Sequence, residues 1–348
     1  MKILMVTSPV VDLTEPFAGG TEAFVVRLAN GLAARGHAVD VLCRKADETN
    51  RFNTLAIEES ALRMCDAITS ETEGQKQYQA AQYGLIDTSD YDVVHYHSYY
   101  HAIYDYGFLH RRRSVITLHS PVSQRLALTH KLNRARTSDV YVAVSERLRD
   151  QWSEVLGEGL HTISNGIVPE DYEADTAAQV TESPFLLTSG RICPEKNTAA
   201  AIELAKAANL PLIIAGPISD EHYYATAISP YLSDTIRYAG HLSQAELKSY
   251  LCAATALLCT SAWSEPFGLS TLEALACDTP VIGFASAIVP ELRHEPVSQV
   301  IEADQPEQIL SALNRAMQLP AGRCRAFAKQ FDFRLTLEKY EQLYAKYH

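Results

Sequence analysis

The sequence has no excess of positive charge, and this argues against one large class of partner. Its 348 residues carry 30 lysines and arginines against 42 aspartates and glutamates, a formal net charge of −12. Because a nucleic acid needs a basic face for its phosphate backbone, we predict no nucleic-acid partner. The triplet Arg111–Arg113 is a local exception. It could contact an anionic surface or belong to a solvated loop.

Long apolar runs and paired cysteines are also missing. The N-terminal stretch MKILMVTSPV is too short for a spanning helix or a complete signal peptide, and no later stretch reaches spanning length without a charge. The seven cysteines are odd in number and form no C-x-x-C pair, which favours a reducing compartment over a disulfide framework. We therefore expect a cytoplasmic protein without a transmembrane segment, and peripheral membrane contact is disfavoured.

Two nucleotide-binding fingerprints are absent from the glycine-rich turn near the N-terminus. The segment EPFAGGTEAF contains neither G-x-G-x-x-G nor G-x-x-x-x-G-K-[ST]. It does place Gly19 and Gly20 before a predicted helix start at Thr21. Such a turn lets a phosphate approach backbone amides at the positive end of a helix dipole. The alternative is a plain tight turn capped by Thr21.

Strand-like apolar runs alternate with segments of helical period along the whole chain. A first series comprises KILMVTS, AVDVLCR, YDVVHYHS, SVITLHS and VYVAVS; a second comprises FLLTSGR, PLIIAG, TIRYAGH, AATALLCTS and TPVIGF. This alternation predicts an α/β protein with two parallel-sheet units joined near residues 166–183. Residues 321–348 are predicted to form one or two helices whose apolar side chains mostly enter a core.

Ligands of open parallel sheets bind beyond the carboxyl ends of the strands, so the residues that follow each apolar run are candidates for a site. His97, His119 and Ser145 follow strands of the first series, and Ser145 is also a candidate N-cap of the next helix. Gly190 and Gly240 follow strands of the second series. The natural active-site hypothesis is a cleft between the two domains.

The loop GRICPEKN carries two cations. Arg191 and Lys196 lie five residues apart between a predicted strand and a helix. Two fixed cations there could neutralise the two phosphates of a diphosphate leaving group, as a metal ion would elsewhere. The alternative is a pair of surface cations beside Glu195.

The histidines allow more than one interpretation. His95 and His97 alternate along one strand and could both bind zinc, but no cysteine or HExxH motif accompanies them. His119 ends a different strand from His97, and a ligand-facing role suits it better than a metal site.

Two glutamates in SEPFGLSTLEAL bear on the reaction. Pro266 favours an extended backbone at Glu265, which places Glu265 in a loop before a helix. Gly268–Ser270 is predicted to form the first helical turn, with Glu273 one turn further. Free N–H groups there would hold a phosphate while the carboxylates accept hydrogen bonds from sugar hydroxyls. The alternatives are a glycosidase's carboxylate pair, and simple capping with dipole compensation.

Taken together these motifs resemble the family-4 retaining glycosyltransferases, over nearly the whole chain. The segments that carry the resemblance are GGTE at 19–22, DVVHYHS at 92–98, TLHS at 117–120, VAVSE at 142–146, SNGI at 164–167, GRICPEKN at 190–197, YAGHLS at 238–243 and EPFGLSTLEALACDTPVIG at 265–283. The last has the family's E-x7-E spacing and is the most specific.

The resemblance implies the GT-B fold, an α/β architecture of two Rossmann-like, doubly wound parallel-sheet domains that face an interdomain cleft. The domains would be 1–168, with 332–348 crossing back as a C-terminal helix, and 169–331. The implied catalytic residues are His119, Arg191, Lys196 and Glu265. The implied donor-binding residues are Gly19, Gly20, Gly190, Gly240, His241, Leu242, Phe267, Gly268, Leu269 and Glu273. The acceptor-side candidates are Thr21, His97, Ser145 and Asn165.

The implied reaction transfers a sugar from a nucleoside diphosphate sugar, UDP- or GDP-linked, to a hydroxyl of a small-molecule or glycan acceptor, with retention at the anomeric carbon. Neither a metal nor a further cofactor is implied. A sugar-nucleotide epimerase of the same fold and an inactive sugar-nucleotide-binding protein are the competing interpretations. The sequence departs from the family at Asp278, where glycine is usual, and at Ala287–Ile288, where a Gly-Gly pair is usual.

Overall fold

The protein is described by a computed structural model that covers residues 1–8, 12–17, 19–56, 83–84, 86–107, 113–135, 138–172 and 184–347. The chain divides into two compact units. The first comprises Met1–Ser164 and Leu337–His348, and the second comprises Asn165–Thr336. Most of the segment predicted to join the units, from 173 to 183, lies outside the described residues.

The described part of the first unit contains a seven-stranded parallel sheet in the order β3-β2-β1-β4-β5-β6-β7. Its strands are β1 Lys2–Val6, β2 Ala38–Cys43, β3 Asn53–Ala56, β4 Val93–Tyr96, β5 Val115–Leu118, β6 Val140–Ala143 and β7 His161–Thr162. Its helices are α1 Gly20–Ala34, α2 His101–Gly107, α3 Gln124–Arg134 and α4 Glu146–Leu156. All four residues of β4, β5 and β6 are buried, as expected for strands covered on both faces.

The second unit contains a six-stranded parallel sheet in the order β10-β9-β8-β11-β12-β13. Its strands are β8 Leu186–Ser189, β9 Leu212–Ala215, β10 Ile236–Gly240, β11 Ala256–Cys259, β12 Val281–Gly283 and β13 Ser298–Val300. Its helices are α5 Thr198–Ala208, α6 Glu221–Tyr223, α7 Gln244–Ala253, α8 Leu269–Ala276, α9 Gln308–Met317 and α10 Arg323–Ala328; short non-α turns are Pro169–Tyr172, Tyr224–Ile228, Ser229–Tyr231, Pro290–Leu292 and Lys329–Phe331.

Both sheets reverse their direction of growth at one point, which is where open parallel sheets bind ligands. In the first sheet the reversal lies between β1 and β4, and in the second between β8 and β11. The two α/β units and their parallel sheets agree with the predicted fold class. None of the helices in the described part of the chain is long and apolar enough to cross a membrane.

The last helix, α11 (Phe333–Tyr347), supplies core residues to the first unit. The Tyr344 hydroxyl lies 2.7 Å from Nδ1 of His95, and the Tyr340 hydroxyl lies 3.0 Å from the Thr117 hydroxyl. Both tyrosines are fully buried, whereas Leu335, also predicted as a core contact, is 47% exposed.

Two predicted helix starts were wrong by one residue. Helix α1 begins at Gly20, not Thr21, and its N-cap is Gly19. Helix α8 begins at Leu269, and Gly268 is its N-cap and not part of the first turn. No side chain caps either helix. Glycine is tolerated at an N-cap, so both helices can begin without a capping side chain. Ser145, by contrast, is confirmed as an N-cap, since its hydroxyl accepts from the N–H of Leu148 at 3.1 Å.

Candidate active site

A pocket of about 470 Å³, open to solvent, lies at the switch point of the second sheet. It is lined by the ends of β8, β9 and β11, by residues that follow β8 and β11, and by the start of α8. These residues are Thr188, Ser189, Gly190, Arg191, Lys196, Thr198, Ile214, Ala215, Leu258, Cys259, Thr260, Ser261, Glu265, Gly268, Ser270, Thr271 and Ala287. Five of the predicted site residues therefore line one pocket: Gly190, Arg191, Lys196, Glu265 and Gly268.

Beside the pocket, the backbone that follows β8 and the backbone that follows β9 approach each other closely. A Cβ at Gly216 would lie 2.0 Å from the carbonyl oxygen of Gly190, so no other residue fits there without moving the backbone. Gly216 also has a φ of 138°, which L side chains rarely adopt. The ends of β8 and β9 are thus held together next to the loop that carries Arg191.

Lys196, Glu265 and Trp263 form the central side-chain contacts of the pocket. The Lys196 ammonium lies 2.5 Å from Oε1 of Glu265, and the indole N–H of Trp263 donates to the same oxygen at 3.0 Å. The ammonium also lies 5.5 Å from the centre of the Trp263 ring. The Lys196 side chain is 25% exposed and that of Glu265 is 11% exposed. The cation can therefore meet a ligand at the pocket surface while the carboxylate stays fixed behind it.

The two loops that carry these groups are tied by backbone contacts. The carbonyl oxygen of Glu195 accepts from the N–H of Ala262 at 2.9 Å and from the Ser261 hydroxyl at 3.0 Å. The Arg191 guanidinium lies 3.5 Å from the Glu195 carboxylate, with about a third of each side chain exposed. Arg191 is thus directed by a weak surface pair, which a ligand with more negative charge can replace.

The start of α8 offers unshared amides to the pocket. Gly268 has φ 87° and ψ 63°, in the left-handed region that favours glycine, and this turn brings the loop into the helix. An uncapped helix N-terminus carries partial positive charge and suits an anion. Together with Arg191 and Lys196, it gives the pocket three positive groups.

Glu273, the second glutamate of the E-x7-E motif, is held by a contact inside the protein. Glu273 is buried, and its Oε1 accepts from the hydroxyl of buried Tyr172 at 3.0 Å. Phe267 is also buried and packs on Phe331, with ring centres 6.2 Å apart. The predicted roles of Glu273 and Phe267 in donor binding stay predictions.

The segment Gly240–Leu242 ends β10. Gly240 accepts from the N–H of Gly216 at 2.8 Å, His241 is exposed, and Leu242 is half-buried. It ends the strand two places from β8 in the sheet, next to Gly216. Leu269, the first residue of α8, is half-buried.

In the first unit, two predicted histidines contact each other. His97 Nδ1 lies 3.0 Å from His119 Nε2. Burial lowers the pKa of His119 to about 3, and burial, then the charges of His95 and His119, lower the pKa of His97 well below its usual range. Both imidazoles are therefore neutral near pH 7. Nε2 of His97 is buried with no hydrogen-bond partner in the described residues.

His95 is occupied by protein contacts. Its Nδ1 is bonded to Tyr344, and its Nε2 lies 2.7 Å from the Thr117 hydroxyl. Neither ring nitrogen is left for a metal, which removes the basis of the zinc alternative for His95 and His97.

The remaining predicted site residues belong to the glycine-rich turn and to the acceptor-side candidates. Gly19 and Thr21 are half-buried, and Gly20 is exposed at the start of α1. Ser145 is fully buried at its N-cap, and Asn165, in the second unit, is buried with its Oδ1 lacking a partner in the described residues.

Sequence reasoning missed two side chains that hold the motif in place. Trp263 lies in the same loop as Glu265, and an indole two residues before a carboxylate was the available signal. Tyr172 lies in the polar stretch taken as a linker, and nothing local connects it with Glu273, 101 residues later.

The comparisons with known proteins agree with this geometry. The model of the family described as Glycosyltransferase Family 4 matches residues 18–171, and that described as Glycosyl transferases group 1 matches residues 172–331. A glycogen synthase of Mycobacterium tuberculosis is 27% identical over 332 residues, which covers 81% of this chain and 77% of that protein.

Two solved structures resemble the whole chain. The sucrose-phosphate synthase of Thermosynechococcus elongatus has a TM-score of 0.76 at 20% identity and covers 99% of both chains. HepE of Anabaena, in complex with UDP-glucose, has a TM-score of 0.77 at 17% identity and covers 99% of this chain and 100% of its own. At such identities the likeness shows the fold, which is GT-B. The two family models match consecutive halves of the chain, and the protein belongs to the family-4 type of glycosyltransferases.

Proposed function

We propose that the protein transfers a sugar from a nucleoside diphosphate sugar to an acceptor hydroxyl with retention of anomeric configuration. One observation carries the proposal. A pocket at a parallel-sheet switch point combines Arg191, Lys196 and an uncapped helix start around a single carboxylate, Glu265.

The three positive groups suit a diphosphate. Leaving-group departure is the difficult event, and it places growing negative charge on the phosphate oxygens. Lys196 and Arg191 would stabilise that charge, and the first amides of α8 would add the helix dipole. Because these groups supply the charge that a divalent cation would otherwise give, we propose that the reaction needs no metal.

Glu265 is assigned to the donor sugar. Its carboxylate is held by Lys196 and Trp263, so it can accept hydrogen bonds from sugar hydroxyls in a fixed orientation. A glycosidase would need a second carboxylate across the scissile bond. Among the described residues that line the pocket, Glu265 is the single acid. This favours same-face transfer, in which the departing phosphate oxygen takes the acceptor's proton.

We assign the other contacts with the donor from the places of the residues in the second unit. We assign Glu273 to the ribose hydroxyls and the backbone of Gly240–Leu242 to the base. The complex of HepE with UDP-glucose makes a UDP-sugar the first donor to test, with GDP-sugars next. The acceptor is a small molecule or a glycan. The roles of Gly19, Gly20 and His119 concern the first unit and stay predictions.

The proposal is tested by titrating UDP, GDP and ADP into the protein by calorimetry. One nucleoside diphosphate should bind, and chelator should leave its Kd unchanged. Lys196→Ala should weaken binding by about tenfold to a hundredfold, because a charge-assisted hydrogen bond contributes about 1.5–3 kcal/mol. The matched control is Lys206→Ala, which removes an exposed lysine paired with Glu203.

Turnover with the bound nucleotide's sugars completes the test. Transfer to acceptors from a small-molecule and glycan panel should release free nucleoside diphosphate, and proton NMR should show the donor's anomeric configuration in the product. A product that keeps its nucleotide would indicate an epimerase instead. Absence of nucleoside diphosphate binding, or equal binding by wild type and Lys196→Ala, would refute the site.

A further inference from the structure

One segment of this acidic chain carries basic residues and no acidic ones. Between Asp105 and Asp139 the sequence has no aspartate or glutamate. It has seven cations there: Arg111, Arg112, Arg113, Arg125, Lys131, Arg134 and Arg136. The sequence alone left open whether the arginine triplet contacts an anionic surface, and Arg111 and Arg112 lie outside the described residues.

Helix α3 lies in this segment and has two unlike faces. Leu126, Thr129, His130 and Asn133 are buried. The opposite face carries Arg125, Leu128, Lys131 and Leu132, which we call the Leu128 face. Leu128 is 61% exposed and Leu132 is 52% exposed. Their spacing of four residues places the two leucines one above the other.

The cations of the Leu128 face have no ion-pair partner among the described residues. Some other exposed cations are paired, for example Lys206 with Glu203 and Arg35 with Glu341. Arg113 and Arg134, in the same segment, donate to the backbone oxygens of Ser138 and Glu158 and lie over tyrosine rings. Arg125 and Lys131 are both exposed. Their charge is therefore available to an outside partner.

The exposed leucines and the unpaired cations of the Leu128 face together indicate which kind of partner it fits. Single exposed leucines are ordinary, but two on successive turns beside unpaired cations give a basic amphipathic surface. A symmetric dimer through this face would place cations against cations. A nucleic acid bound to this face would have the two exposed leucines at the centre of its contact, where they match no phosphate. An anionic lipid surface satisfies both groups, because headgroup phosphates attract the cations while the leucines enter the acyl boundary.

We propose that the Leu128 face docks the protein on an anionic lipid surface. Arg125 and Lys131 contact headgroup phosphates, and Leu128 and Leu132 insert at the boundary of the acyl chains.

The proposal is tested by co-sedimentation with vesicles of phosphatidylcholine alone and of phosphatidylcholine mixed with phosphatidylglycerol. The wild type should bind the mixed vesicles and not the neutral ones, and binding should fall as salt is raised. Arg125→Gln with Lys131→Gln should weaken binding by about tenfold or more, since each surface cation contributes about 1 kcal/mol. Leu128→Gln with Leu132→Gln should weaken it at least as much.

Two double variants serve as matched controls. Lys329→Gln with Lys339→Gln removes two exposed positive charges outside the Leu128 face. Leu310→Gln with Met317→Gln removes two exposed apolar side chains from α9. Both should bind vesicles as the wild type does. Nucleoside diphosphate affinity and the thermal midpoint should stay at wild-type values in all four variants, which separates lost docking from lost fold or lost donor site.

Three results would overturn the proposal. These are equal binding to neutral and anionic vesicles, equal binding by the Leu128-face variants and their controls, or binding to DNA or RNA in place of vesicles.

Discussion

At the scale of single residues, the contacts of Glu265 determine how much positive charge the pocket offers to a ligand. Its carboxylate holds Lys196 at 2.5 Å and accepts from Trp263 at 3.0 Å. A diphosphate must compete with that carboxylate for the ammonium. The residue proposed to favour transfer therefore opposes binding of the nucleotide alone.

Glu265→Gln should separate binding from turnover. Removing the carboxylate charge frees Lys196 and removes a repulsion, so the Kd for nucleoside diphosphate should fall by about fivefold. Turnover of the sugar donor should fall by about a hundredfold or more, because the sugar loses its anionic partner. Calorimetry and a nucleotide-release assay measure the two effects.

Glu203→Gln is the control for this change, because it removes an exposed carboxylate that also pairs with a lysine. It should alter neither quantity. Weaker nucleotide binding by Glu265→Gln would show that the carboxylate supports the diphosphate site instead of competing with it.

Both partners of this contact were predicted from the sequence, but their pairing was not. Lys196 and Glu265 are 69 residues apart and belong to loops after different strands. The motif indicated which side chains matter. Only the order of β8 and β11 in the sheet brings the two loops together, and local spacing carries no information on that order.

At the scale of elements, Asp278 joins two helices. It has a φ of 67°, in the left-handed region where the resemblance leads us to expect glycine. Its carboxylate accepts from the N–H groups of Gly322, Cys324 at 3.1 Å and Arg325 at 3.2 Å. Arg325 in turn donates to the carbonyl oxygen of Ala276, at the end of α8, at 3.0 Å. The departure from glycine thus supplies a cap to α10 and fixes it to α8.

Asp278→Ala should lower the free energy of unfolding by about 2 kcal/mol. About half of this is the lost helix cap, and about half is the cost of a left-handed alanine. Asp278→Asn should cost less, since asparagine tolerates the conformation and can still accept a hydrogen bond. Urea unfolding followed by circular dichroism measures both.

The exposed Asp304 gives the control, and Asp304→Ala should leave the urea midpoint unchanged. Equal losses in Asp278→Ala and Asp278→Asn would mean that the charge matters and the backbone conformation does not.

Element prediction succeeded where apolar runs were long and failed where strands were short and polar. The buried strands β1, β4 and β8 were each recognised from a run of apolar residues. Strands β3, β7 and β13 have two to four residues and were missed. They lie at sheet edges, where pairing with a formed neighbour, not hydrophobic pattern, makes the strand.

At the scale of the whole molecule, buried neutral histidines tie stability to pH. The pKa of His119 is lowered to about 3 by burial, and burial also lowers the pKa of His95 and of His97. In the unfolded chain each would titrate near its ordinary value of about 6.5. Below that pH the unfolded state binds more protons than the folded state. The stability that these histidines contribute is therefore fully present above about pH 6.5, and it is lost as the pH falls toward their pKa values in the folded protein.

His97→Gln should reduce this pH dependence. Each buried histidine contributes a slope of up to about 1.4 kcal/mol per pH unit, and the variant should lose one such contribution between about pH 5.5 and 4. Urea midpoints measured across that range test it. Val142→Ala, a cavity-forming change at a fully buried position of the same sheet, should lower stability equally at every pH. Parallel pH profiles for wild type and His97→Gln would contradict the expectation.

The contribution of α11 to the first unit has a consequence for synthesis. Tyr340 and Tyr344 complete the hydrogen bonds of Thr117 and His95, which were translated more than two hundred residues earlier. The whole second unit is synthesised in between. The unit that is made first therefore closes its core last. A chain released before Leu337 would contain the complete second unit and a first unit that lacks Tyr340 and Tyr344.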